Sequence, residues 1–152
     1  MSTTREEPLS DRDSLAIINS ADAASAMLGL NNYEAPHVMQ DAIEKFLDEL
    51  DAGTTRNKLG PSRGAMALGS LWGNALLEAY HWTWIKVIHG EWHALGLVDE
   101  ERRYLALPHQ MFVKLLSAEC DPSLARPGAR FNAIGANALP PAEPASYTII
   151  TS

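Results

Sequence analysis

The side chains best equipped for chemistry cluster in the middle of the chain. They are His81, His89, Glu91, His93 and His109. Imidazole and carboxylate form a donor set for zinc or iron, which would suit a metal-dependent hydrolase. In an extended chain His89, Glu91 and His93 project to one side. A straight strand, however, separates His89 from His93 by about 13 Å, beyond the reach of a single ion. A helical turn would close that gap but lose the alignment of Glu91. The glutamate also fails to follow the first histidine directly, as the helical zinc-protease motif requires. The spacing therefore predicts surface histidines beside a turn, with no metal and no other cofactor.

Cys120 is the sole cysteine. On one helix His109 would lie about 16 Å from it by helical rise, too far to act as its base. A buried, unreactive cysteine is the expectation. In Gly69-Ser70-Leu71-Trp72-Gly73 the serine stands one position early for a nucleophile elbow, and no strand precedes it. No phosphate loop, dinucleotide fingerprint or calcium loop is present. These residues assemble no catalytic set. An enzyme built on the histidine group stays as the alternative to a binding protein.

Two other groups could recognise a partner. Four tryptophans, Trp72, Trp82, Trp84 and Trp92, crowd into 21 positions, where they could fill a core or line a ligand pocket. Asp41, Glu44, Asp48 and Asp51 recur at helical spacing, and such a stripe steers a basic partner electrostatically. The stretch from Glu34 to Asp51 carries six acids against Lys45 alone, and supplies most of a formal charge of −7. That charge repels nucleic acid, and the small Arg56, Lys58, Arg63 cluster has no interleaved aromatic residues.

The elements that must position these groups follow from pattern and punctuation. With 46% hydrophobic and 20% charged residues, the chain reads as one globular domain rather than a disordered one. Residues 1–10 read as a flexible arm without a secretory signal, and the lone cysteine suits a reducing compartment, so a soluble cytoplasmic protein is expected. The low-charge stretch Gly64–Leu77 is too short to span a bilayer. Ser10 with Asp13 resembles a capping box for a helix from Asp11 to Leu28, closed by Gly29. Pro36 opens a second helix to Asp51, with Met39, Ile43, Phe46 and Leu50 on one face. Ser62 would cap a third, reaching Tyr80, along which Ala65, Gly69 and Gly73 form a small-residue stripe. Interior glycines cost about 1 kcal/mol each against alanine, so the stripe implies close approach of another element.

Beyond Tyr80 the composition turns to strand. Trp82–Ile88 is aromatic and β-branched, Gly90 marks a turn, and Trp92–Val98 and Tyr104–Leu107 follow as further strands. Alternation puts Trp82 and Trp84 on one face with Lys86, and Ile85 and Val87 on the other. Only one of those faces is expected to be buried. Pro108 opens a helix to Cys120. From residue 121 to 152, five of nine prolines mark an arm that packs over the domain and ends extended. The fold expected is α+β: helices on a small antiparallel sheet with a proline-rich C-terminal arm, residues 11–152 forming one domain.

Leu68-Gly69 with Gly73, then Trp82 or Trp84, then Tyr104 and Leu107 before Pro108, resemble a pattern in small bacterial domains of unknown function. The resemblance covers Ala65 to Leu116, about a third of the chain. Some such domains are similar to immunity proteins that block a cognate toxin, which implies a non-enzymatic protein-binding role. On that reading the contact residues would be Asp41, Glu44, Asp48, Asp51 and Trp92, the partner a basic protein. A small-ligand-binding module using the tryptophan cluster is the other non-enzymatic possibility.

Overall fold

The computed structural model describes residues 4–31, 34–117 and 126–151. The first two helices run where the sequence places them. Helix α1 (Asp11–Leu28) starts with the reciprocal Ser10–Asp13 capping box and ends at Gly29, whose φ of 72° supplies the left-handed cap. Helix α2 (Pro36–Asp51) buries Met39, Ile43, Phe46 and Leu47 along one side.

Helix α3 (Pro61–Tyr80) begins at its proline, with Gly60 at the cap position, so Ser62 does not cap it. Asn57 instead holds the Gly60 carbonyl at 2.7 Å. This helix touches α1, α2 and the three elements β2, β3 and α4 that follow it: β2 (Thr83–His89), β3 (Trp92–Val98) and α4 (Pro108–Leu115). Its small residues face those neighbours. A Cβ on Gly69 would lie 2.7 Å from the His109 ring and 3.0 Å from the α4 backbone, and one on Gly73 would overlap the Trp84 indole.

The sheet departs from expectation in three ways. Thr4–Glu7, placed by the sequence in a flexible arm, forms β1 and pairs antiparallel with β2 from Thr4↔His89 to Glu7↔Lys86. All four of its side chains are polar, so hydrophobic periodicity gives no sign of it. At the other end β4 (Tyr104–Ala106) pairs in parallel with β5 (Thr148–Ile149), which makes the sheet mixed, in the order β1-β2-β3-β4-β5. Between them the C-terminal region contributes a helix, α5 (Pro127–Gly135), whose Phe131 joins the core.

Third, both faces of β2 are buried. Trp84 and Leu97 pack with the helices, while Ile85, Val87, Val98, Leu105 and Leu107 form a second cluster on the opposite face. The C-terminal segment covers that second face with Tyr147. Glu6 ties the cover down: it accepts hydrogen bonds from Arg102 Nε at 2.8 Å and Tyr147 Oη at 3.0 Å. The Arg102 bond holds the Glu6 carboxyl below its ordinary pKa. Both Arg102 and Tyr147 have left-handed backbones (φ 55° and 48°), each costing on the order of 1 kcal/mol, which this network offsets. The helix expected to reach Cys120 stops earlier, at Leu115, where the Leu116 N–H caps it on the Phe112 carbonyl; Cys120 itself lies outside the described residues.

Candidate functional site

The register Thr83↔Val98 and Val98↔Leu105 puts Trp82, Asp99 and Tyr104 side by side at one end of the sheet. Helix α3 ends just before them. His81 adopts a left-handed backbone (φ 61°) as its cap, turning the chain from Tyr80 into Trp82 and β2. The end of α5 closes the opposite side with Ile134, Asn137 and Leu139. These groups and Arg103 enclose a cavity of about 230 Å³.

Its walls are aromatic and held in place. The Trp82 and Tyr104 rings are parallel within 5°, centroids 6.5 Å apart. Tyr104 donates its hydroxyl to the Pro140 carbonyl at 2.5 Å, and Tyr80 donates to the Phe131 carbonyl at 3.1 Å. Burial raises the Tyr80 phenol above its ordinary pKa, so it remains a donor at neutral pH. Asp99, only 6% exposed, accepts the Tyr104 backbone N–H and Arg103 Nε, both at 3.0 Å. Arg103 Nε also lies 3.2 Å from Glu101, and its guanidinium sits 5.3 Å from the Tyr104 ring centroid.

The tryptophans separate into different roles. Trp72 is fully buried and donates to the Pro127 carbonyl at 3.2 Å; Trp84 donates to Asn74 Oδ1 at 2.9 Å. Trp92 is 43% exposed at the β2–β3 turn. Trp82 is only 6% exposed and lines the cavity, yet its indole N–H has no hydrogen-bond partner among the described residues. It is also not among the buried atoms sealed from solvent, unlike the Gln40 amide. The N–H therefore meets solvent.

The acidic stripe is largely engaged within the fold. Arg126, just before α5, reaches Glu44 at 3.1 Å, Asp48 at 2.8 Å and Asp51 at 3.1 Å. Burial opposes the Arg126 charge, but the three carboxylates outweigh it and raise its pKa. Glu44 also accepts the Gly128 N–H at 3.0 Å in the first turn of α5, where a carboxylate suits the helix dipole. Asp41 is exposed and takes no part in this cluster.

The histidine group is dispersed. Gly90 and Glu91 form a two-residue hairpin loop, so His89 pairs with Trp92 while His93 pairs with Ile88, on the other face of the sheet. His89 bonds Thr4 at 2.9 Å, and His81 caps α3. His109 lies inside, stacked on Trp84 with centroids 6.0 Å apart, and its Nε2 meets Ser70 Oγ at 3.1 Å. Sequence reasoning missed this serine–histidine pair, whose members stand 39 positions apart. Ser70 is completely buried in mid-helix, so no substrate reaches its hydroxyl. The pair serves packing: burial lowers the His109 pKa to about 4 and keeps the ring neutral.

A larger cavity, about 360 Å³, lies between α5 and β5. Its lining is mostly alanine and aliphatic, and its one charged side chain, Arg130, donates to the Ile150 carbonyl. It offers volume but little to orient a ligand. Asp99, Arg103, Tyr80 and Tyr104 were not candidates from sequence, because Asp99–Arg102 reads as an ordinary polar turn. Their one sequence signal is Tyr104, two residues after that turn. Among the described residues no helix is long and apolar enough to cross a membrane. Comparison with protein-family models, curated proteins and solved structures finds no match.

Proposed function

We propose that this protein is a small-ligand-binding module whose site is the Trp82 cavity. The observation that carries this reading is a nine-tenths-buried tryptophan whose N–H is uncommitted, in a cavity walled by two tyrosines and by a buried acid paired with a part-exposed arginine. Aromatic walls with a few fixed polar groups are what ligand sites use for affinity and orientation. At about 230 Å³ the cavity suits a compound of one or two rings rather than a drug-sized molecule. A fragment screen read by the Trp82 indole N–H resonance tests this. Planar fragments should move that signal and leave those of Trp72 and Trp84, which are engaged internally. A screen in which no fragment moves it would sink the reading.

A second reading follows from the exposure of Trp92 together with the residual negative charge around Asp41, Asp48 and Asp51. These favour a basic protein partner, as the resemblance to toxin-immunity proteins implies. The stripe residues then differ in their roles. Asp41→Lys should leave stability within about 0.5 kcal/mol and slow association with a basic partner. Glu44→Lys should cost about 2 kcal/mol of stability, since it strips Gly128 and Arg126 of a charged acceptor. Chemical denaturation of both variants checks the contrast. Equal midpoints would mean that the Arg126 cluster contributes nothing to holding α5.

A further inference from the structure

The connection between α2 and α3 reverses the sign of the protein's charge. From Ala52 to Leu77 the chain has no acid but holds three cations, Arg56, Lys58 and Arg63, in a protein of formal charge −7. We infer a second ligand site there, separate from the Trp82 cavity: a pocket for a small compound bearing a doubly charged phosphate group.

The pocket forms where the end of α1 and one face of α2 meet this connection, ahead of the start of α3, whereas the Trp82 cavity lies at the end of α3. Its volume is about 160 Å³. Leu28 and Phe46 supply an apolar side. Lys45, Arg56 and Lys58 bring three positive charges against the single negative charge of Glu49. The surplus is two, so a dianion neutralises it and a monoanion does not.

These cations are not engaged inside the fold. Arg5, Arg102, Arg103 and Arg126 each pair with a carboxylate, but Lys45, Arg56 and Lys58 pair with none among the described residues. Lys45 stands four positions before Glu49 on α2, the weaker order for a helical pair. Neutral donors accompany the charges. The Thr55 hydroxyl and the main-chain N–H groups of Thr55, Arg56 and Lys58 have no hydrogen-bond partner among the described residues. A phosphate presents several acceptor oxygens, and its bonds to arginine and lysine are charge-assisted. The concave shape suits a small compound rather than a flat membrane or duplex surface.

The test is an NMR titration of the full chain at constant ionic strength, under conditions where phosphate is doubly charged. The probes are inorganic phosphate, acetate and vesicles containing phosphatidic acid. Phosphate should shift the Thr55, Arg56 and Lys58 amide signals and bind about tenfold more tightly than acetate. Lys45→Gln and Arg56→Gln, both at exposed positions, should melt like the wild type. Each should weaken phosphate binding about tenfold, the loss of one charge-assisted hydrogen bond. Glu49→Gln should tighten it, because the one opposing charge is gone. Should a variant fail to fold, the preference of the wild type for phosphate over acetate still decides. Equal affinity for the two anions overturns the dianion class. Undiminished phosphate binding in both cation variants overturns the pocket. Binding of the vesicles without any response to inorganic phosphate places the charge on a membrane surface and overturns the small-ligand site.

Discussion

Gly73→Leu should lower stability by about 3 kcal/mol or more, a loss typical of forcing a branched side chain into a filled core. The reason is the absence of space: even a Cβ at this position overlaps the Trp84 indole and lies 3.0 Å from Leu97 Cδ1. Trp84 cannot retreat, since its N–H is held by Asn74 and its ring is stacked on His109. For a chain of this size, such a loss lowers the melting temperature by roughly 6–12 °C. Gly69→Leu should behave similarly, because part of what it meets is the α4 backbone. Ala26→Leu, on the exposed side of α1, is the control and should stay within about 0.5 kcal/mol. Calorimetry of the three variants decides it. Wild-type melting of Gly73→Leu would show that α3 and β2 separate easily, against the close packing described above.

Acid should destabilise the protein well before its surface carboxylates protonate, and His109 is the cause. Burial against Trp84 and the α3 backbone lowers its pKa from 6.5 to about 4. The unfolded chain therefore takes up a proton below pH 6.5 that the folded chain refuses. Stability is full above about pH 7 and falls as the pH drops from 6.5 towards 4, where the folded form at last protonates. Linkage sets the loss at pH 4 at about 3 kcal/mol. Glu6 adds to this only further down, because its pKa lies below the ordinary 4.5 and its bond to Arg102 survives until lower pH. His109→Gln can keep a bond to Ser70 and does not titrate. Urea midpoints measured from pH 7.5 to 4 should fall more steeply for the wild type than for this variant. Parallel curves would mean that His109 titrates alike in both states and that the ring is solvated.

What could be read from the chain alone was whatever depends on near neighbours. The bounds of α1 and α2 follow from a capping box, a proline and apolar spacing, all of which act within a few residues. The glycine stripe foretold a close contact on α3, because glycine in a helix needs compensation. It could not say that the contact was Trp84 and His109.

Apart from the cap of α3, what sequence reading missed rests mostly on long separations. β1 is polar throughout and gains its place from main-chain pairing with a strand some 80 positions away and from the Glu6–Arg102 pair. Helix α5 has a composition of proline, glycine and alanine that reads as an arm, and it is held by Glu44 and Asp48 some 80 positions earlier. The stripe on α2 looked free because its cation, Arg126, lies outside the local window. The parallel pairing of β5 is a choice between sheet edges, which no local pattern encodes. The Trp82 cavity arises from register: adjacent strands bring Trp82, Asp99 and Tyr104 together, and the ends of two helices close over them. Local preferences decide the segments with strong periodicity or capping, such as α1 and α2. Which unpaired donors and charges share a cavity is decided only by packing.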